Sequence, residues 1–208
     1  MLRNPSFRAY FSAQLVSTTG SWMQLAAINW QIYALTGSLV ALGLVGLVRV
    51  VPIIVLSLLG GVVADTYDRR KLMIWTNSLM LLSALLLSIA SFTNVITLLL
   101  IYLATATLSG LGAFDKPAAT ALVPRLVTPA ELPKAVRINV IMIEITAVLG
   151  PVTAGLLLGA FGPGIAYLLN ALSFLPLIIV LLILHVPHIK PAAGMGVNWR
   201  SMVDGWRF

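Results

Sequence analysis

The chain has 208 residues, of which 60% are apolar and only 9% are charged. Soluble domains carry about 25% charged residues, so this composition excludes an ordinary soluble fold and predicts an all-α, polytopic membrane protein. The formal net charge is +7. Because the basic residues form short blocks between apolar runs, they are typical of topology signals and argue against nucleic-acid binding. The sequence contains no cysteine, which excludes disulfides and a thiolate nucleophile.

Long apolar runs predict six membrane spans. At about 1.5 Å per helical residue each run is long enough to cross a bilayer. The predicted spans cover about 9–35, 39–64, 72–92, 95–114, 135–160 and 164–185. Residues 1–185 are therefore expected to form one six-helix bundle.

The basic residues alternate between the connections. Counted from the N-terminus, the segments before, between and after the predicted spans hold 2, 0, 3, 0, 4, 0 and 3 Lys or Arg residues, where Arg137 at the start of span 5 is counted with the connection before it. Connections rich in Lys and Arg stay in the cytoplasm. This pattern predicts that both ends of the chain and the turn after span 2 are cytoplasmic.

Span 1 carries a polar stripe. Its members lie within roughly 100° of one another on a helix of 3.6 residues per turn, and they are Gln14, Ser17, Ser21, Gln24 and Gln31. Polar side chains are costly when they face lipid, so the stripe is expected to face protein or a water-filled cavity. Interhelical hydrogen bonding and cavity lining remain open as alternatives.

Two charged residues are expected deep in the membrane. Arg49 lies near the middle of span 2, and Glu144 is the only carboxylate well inside a predicted span. A buried acid can load and release a proton during transport, so Glu144 is a candidate for proton coupling. Alternatively, Glu144 and Arg49 neutralise each other as a structural ion pair.

Two further features surround span 5. Residues 115–134 are predicted to be the longest loop, in which the segment Thr128–Glu131 fits a capping box that begins a short surface helix. Within span 5, small residues share one predicted face with Glu144: Ala147, Pro151, Ala154 and Gly155. This face is expected to let another helix pack closely.

The turn after span 2 contains the pattern Gly61-x-x-x-Asp65-x-x-Asp68-Arg69-Arg70. The pattern resembles the signature loop between helices 2 and 3 of the major facilitator superfamily. That family most often has a basic residue where Thr66 stands and glycine where Asp68 stands. Aspartate at position 68 is still expected to support the turn and to cap the start of span 3.

Other segments extend the resemblance to the superfamily's effluxer branch, which includes the enterobactin exporter. They are Phe7-Arg8, Gln14-Leu15-Val16-Ser17, Leu35-Thr36-Gly37-Ser38, Phe114-Asp115-Lys116-Pro117-Ala118, Pro124-Arg125-Leu126-Val127 and Gly150-Pro151-x-x-x-Gly155. The last is similar to an element of antiporter-type exporters, although Ala154 stands where a second glycine is usual. The resemblance covers only the N-terminal half of a twelve-span transporter. It implies that residues 186–208 begin the cytoplasmic linker to a second six-helix half.

The resemblance also implies a role for the charged turn. Asp65 ends span 2, where the helix dipole disfavours a carboxylate unless a cation compensates it. We expect Asp65, Arg69, Arg70 and Lys116 to form a cytoplasmic latch that opens when the two halves rock against each other. The alternative is that this cluster only anchors the topology.

These observations predict a multi-pass transporter of the bacterial inner membrane. By resemblance, it exports a small molecule by proton-coupled alternating access, with the lipid bilayer, protons and a second six-helix half as its partners. The alternative is a truncated half that transports nothing until it pairs with that second half. No nucleophile elbow, metalloprotease motif or phosphate-binding loop is present in the sequence, which argues against an enzyme, and no cofactor or metal is expected.

Overall fold

The computed structural model describes residues 5–184, except for the side chains of residues 58–66. The described part is all-helical. Its α-helices are α1 (Pro5–Thr36), α2 (Leu39–Thr66), α3 (Arg69–Phe92), α4 (Leu98–Leu126), α5 (Leu132–Phe161) and α6 (Pro163–Ile183), and a 3₁₀ helix spans Pro129–Glu131. The predicted cytoplasmic linker, 186–208, lies outside the described residues.

Short connections bring consecutive helices back beside one another. Gly37 and Gly162 have positive φ angles of 61° and 75°, which glycine adopts without a steric penalty. Asp68 caps α3 as the sequence predicted, because its carboxylate accepts hydrogen bonds from the backbone amides of Arg70 and Lys71. The capping box at Thr128 and Glu131 is also confirmed.

The prediction of a long loop over residues 115–134 was wrong. Helix α4 continues through Asp115 and Pro117 as far as Leu126. Only Val127 and Thr128 separate it from the 3₁₀ helix. A proline inside a helix is tolerated in a membrane protein when neighbouring helices compensate for the lost backbone bond. The segment after Phe114 therefore belongs to α4, with Asp115 buried in the bundle and Lys116 exposed.

The six helices pack in a chain of pairs. The most extensive contacts join α3 with α6, α2 with α4, and α1 with both α5 and α6. Helix α1 thus lies against α5 and α6 along its length, and α4 joins α2 to α3. One buried cluster surrounds Phe7, Met73 and Leu177 near the N-terminal end of α1, and a second surrounds Ile32, Leu87 and Tyr167 near its other end.

Five of the helices are long and apolar enough to cross a membrane. They are α2, α3, α4, α5 with the preceding 3₁₀ turn, and α6. Helix α1 is as long as the others, but it carries the polar stripe. Helix α1 packs against α5 and α6, and Ser17, Gln24 and Gln31 of its stripe are buried. The chain is an all-α, polytopic membrane protein, and its helices are consistent with one half of a major-facilitator fold.

Candidate functional site

A cavity of about 490 Å³ lies between the helices. All six α-helices contribute to its lining, and each of them supplies at least one polar side chain. The apolar part of the wall includes Trp22, Ile28, Ile53, Met80 and Phe174. A cavity of this size with a mixed apolar and polar wall can hold a small molecule.

The polar stripe of α1 serves both roles that the sequence left open. Gln14, Ser17, Ser21 and Gln24 line the cavity. Gln31 instead lies near the other end of the bundle, where its amide accepts a hydrogen bond from Tyr167 (2.6 Å) and donates one to Ser91 (3.3 Å). The stripe is therefore split between a cavity wall and an interhelical hydrogen-bond group.

Gln24 connects the cavity wall to α6. Its Oε1 accepts a hydrogen bond from the side-chain amide of Asn170, which also lines the cavity. Gln24 is only 2% exposed. Its Nε2 and the Oε1 of Gln14 are buried polar atoms with no hydrogen-bond partner among the described residues. Such atoms are costly unless a ligand or water satisfies them.

Arg49 lies on the cavity wall and is partly buried. Along the part of the chain that the structure describes, no hydrogen bond or ion pair holds its guanidinium. Glu144, its proposed ion-pair partner, is exposed on α5 and is absent from the cavity lining. The predicted Arg49–Glu144 pair does not form in this arrangement. The proton-coupling role of Glu144 stays a prediction.

Asp115 is the buried carboxylate that the sequence analysis missed. It is 9% exposed and lines the cavity. One of its oxygens, Oδ1, accepts hydrogen bonds from the Thr76 hydroxyl and the Asn77 amide, both at 2.7 Å. The statement that Glu144 is the only deep carboxylate was therefore wrong. The error arose because span 4 was ended at Phe114. The run Ala118–Val123 after Pro117 could have indicated that the helix continues.

The described residues of the expected latch lie in different surroundings. Arg69 donates to the carbonyl of Ala121 in α4 at 3.2 Å, and Arg70 donates to the carbonyls of Leu181 and Leu182 at the end of α6. Lys116 is exposed and lies on the cavity wall. Gly61 and Asp65 lie within residues 58–66, whose side chains the structure does not describe, so the latch stays a prediction.

The small-residue face of α5 is not a single face. Gly150 packs directly on α1, where a Cβ atom would come within 2.8 Å of the Met23 amide nitrogen. Ala154 is buried beside it, whereas Pro151 and Gly155 are exposed together with Glu144. The predicted face is therefore divided between a buried Ala154 and an exposed part, and the packing of another helix on that exposed part stays a prediction.

Comparison with known proteins gives the same family as the signature turn. A family model described as "transmembrane secretion effector" matches residues 1–208. The chain is 32% identical over 180 residues to the staphyloferrin A transporter of Staphylococcus aureus. These residues are 85% of this chain and 45% of that protein. It is 27% identical over 206 residues to the enterobactin exporter EntS of Escherichia coli, covering 99% of this chain and 49% of that protein.

The chain thus spans about half the length of the curated relatives it matches. The match to the family model runs over the whole chain, including the charged turn, the cavity-lining helices and the element at Gly150. The chain belongs to the transmembrane secretion effector family, in the effluxer branch of the major facilitator superfamily.

Proposed function

We propose that this chain supplies one half of a secondary transporter that exports a small molecule across the bacterial inner membrane by alternating access, with proton movement as the driving force. The observation that carries the proposal is the cavity of about 490 Å³. Its wall combines apolar side chains with charged and amide groups, which suits an amphiphilic substrate. Five helices are long and apolar enough to cross a membrane, and the two relatives are named as a transporter and an exporter. Both observations support the same function.

Proton coupling has two candidate carboxylates in this half. Glu144 lies on the exposed face of α5, where a second half can cover it. Asp115 lies in the cavity wall. An acid that faces a cavity in one conformation and protein in another can exchange its proton during the cycle.

The proposal is tested in two preparations of inside-out vesicles, one with the inserted chain alone and one with the chain and the C-terminal half of EntS, with enterobactin and staphyloferrin A as probes. We expect accumulation of at least one probe under an imposed proton gradient and its loss when an uncoupler is added. Accumulation that ignores the uncoupler removes proton coupling. If Glu144→Gln leaves gradient-driven accumulation unchanged, Glu144 has no coupling role.

The latch at the charged turn is part of the same proposal. Its rival is that the turn only anchors the topology. The variant Asp65→Asn distinguishes the two roles. Slower flux at equal membrane insertion supports the latch, and normal flux supports the anchor.

A second candidate is a half that does not transport alone. The chain covers only 45–49% of its relatives, and large apolar side chains are exposed along α2 and α5, including Leu47, Ile54, Val148 and Leu156. Co-expression with the C-terminal half of EntS tests this candidate. Probe accumulation that appears only in the pair supports it, and accumulation by the chain alone contradicts it.

A further inference from the structure

The charges on the cavity wall are unequal. Among the described residues that line the cavity, Arg49 and Lys116 are basic and Asp115 is the one acid. The cavity thus carries a net positive charge at neutral pH. Bound anions are favoured where a low-dielectric wall surrounds such an excess.

Arg49 and Gln24 lie at the same depth. Helices α1 and α2 are joined by a two-residue turn between Thr36 and Leu39. At about 1.5 Å per residue, Gln24 is roughly 18 Å from that end of α1 and Arg49 roughly 15 Å from that end of α2. Both side chains line the cavity. The Nε2 of Gln24 is itself buried, so the guanidinium of Arg49 is the donor that this level of the wall presents to a ligand.

Asp115 does not serve as the counter-charge of Arg49. By the same rise it lies roughly 25 Å from the corresponding end of α4, about 10 Å deeper than Arg49. Its Oδ1 is already used by Thr76 and Asn77. An arginine near the middle of a span costs several kcal/mol or more unless a counter-charge or water reaches it. Within the described helices this counter-charge is missing, so a ligand is the group suited to supply it.

We infer that Arg49 forms an oxyanion subsite, which binds a carboxylate or similar anionic oxygen group of the substrate. Its guanidinium donates charge-assisted hydrogen bonds to the anion. The apolar wall around Trp22, Ile28 and Ile53 holds the uncharged part of the same molecule. This inference rests on the proposed function, because it names the substrate class that the cavity accepts.

A matched pair of probes tests the subsite. 1-Naphthaleneacetate and 1-naphthaleneacetamide share one ring system and differ in the charged group. Binding of each is measured by calorimetry at neutral pH, with the purified chain in lipid nanodiscs and empty nanodiscs as the blank. We expect the carboxylate to bind at least about tenfold more tightly than the amide, as a charged hydrogen bond contributes. Equal affinity for the two probes in the unmodified chain overturns the inference.

Variants then locate the preference. Arg49→Gln should abolish the preference for the carboxylate, and Arg49→Lys should retain part of it because the charge remains. The control is Arg137→Gln, which removes an exposed arginine of α5 that does not line the cavity. Loss of the preference in the control, or its survival in Arg49→Gln, contradicts the assignment. Because binding is measured without transport, this result does not depend on whether the chain exports a probe in vesicles.

Discussion

Asp115 illustrates how a buried charge is held by particular neighbours. Its carboxylate accepts two hydrogen bonds from α3, and Thr76 and Asn77 are themselves 4% and 1% exposed. Both donors also contact the carbonyl of Met73, so they retain a partial partner when Asp115 is lost. The stability of the α3–α4 contact thus depends on an acceptor atom at position 115.

Substitutions at Asp115 should separate the acceptor from the charge. Asp115→Leu removes the acceptor and is expected to lower the free energy of unfolding by about 0.5–1.5 kcal/mol, the net contribution of a typical hydrogen bond, because both donors keep the Met73 carbonyl as a partner. Asp115→Asn keeps an oxygen in place and should destabilise clearly less. Thermal unfolding in detergent measures both variants. Glu144→Gln is the control, because its side chain is exposed and should change stability little. Equal losses for Leu and Asn would contradict this account.

At the scale of the elements, the helix contacts depend on where glycine allows a close approach. Gly150 lies against the α1 backbone at Trp22 and Met23. Gly155 lies five residues farther along α5, and a Cβ atom added there would meet no atom of another helix within 4 Å. The two glycines belong to the same sequence pattern. Only one of them fixes the distance between α1 and α5.

The pair gives a matched test of helix packing. Gly150→Ala should destabilise the chain, because the new methyl group meets backbone atoms of α1 at 2.8–2.9 Å and these cannot move aside as a flexible side chain does. We expect a loss of about 1–3 kcal/mol. Gly155→Ala should be neutral or stabilising, by up to about 1 kcal/mol, since alanine is the better helix former. Unfolding in detergent gives both values, and equal effects would refute the close contact.

The sequence predicted the number of helices and most of their ends because apolar runs and charged turns report them directly. It failed at α4, where Asp115, Lys116 and Pro117 in succession have the composition of a turn. Asp115 is buried against α3 by hydrogen bonds with Thr76 and Asn77, and these partners are distant in sequence. The division of α5 at Ala154 and Gly155 was also inaccessible, because periodicity gives the direction of a side chain and not the width of the surface it meets.

At the scale of the whole molecule, the helices leave an uneven surface. One side of α1 is covered by α5 and α6, and the cavity opens between helices that carry exposed apolar residues. In a membrane that surface faces lipid or a second six-helix half. Every such arrangement requires that the basic connections lie on one side of the membrane.

That requirement can be tested directly, because the natural chain has no cysteine. Asn94→Cys places a thiol in the exposed connection between α3 and α4, and Ala130→Cys places one in the exposed 3₁₀ turn before α5. The Lys and Arg distribution puts the first outside the cell and the second in the cytoplasm. A membrane-impermeant maleimide should therefore label Asn94→Cys in intact cells, and should label Ala130→Cys only after permeabilisation. The reverse pattern would invert the topology, and labelling of both sites in intact cells would show that the helices do not span the membrane as an alternating bundle.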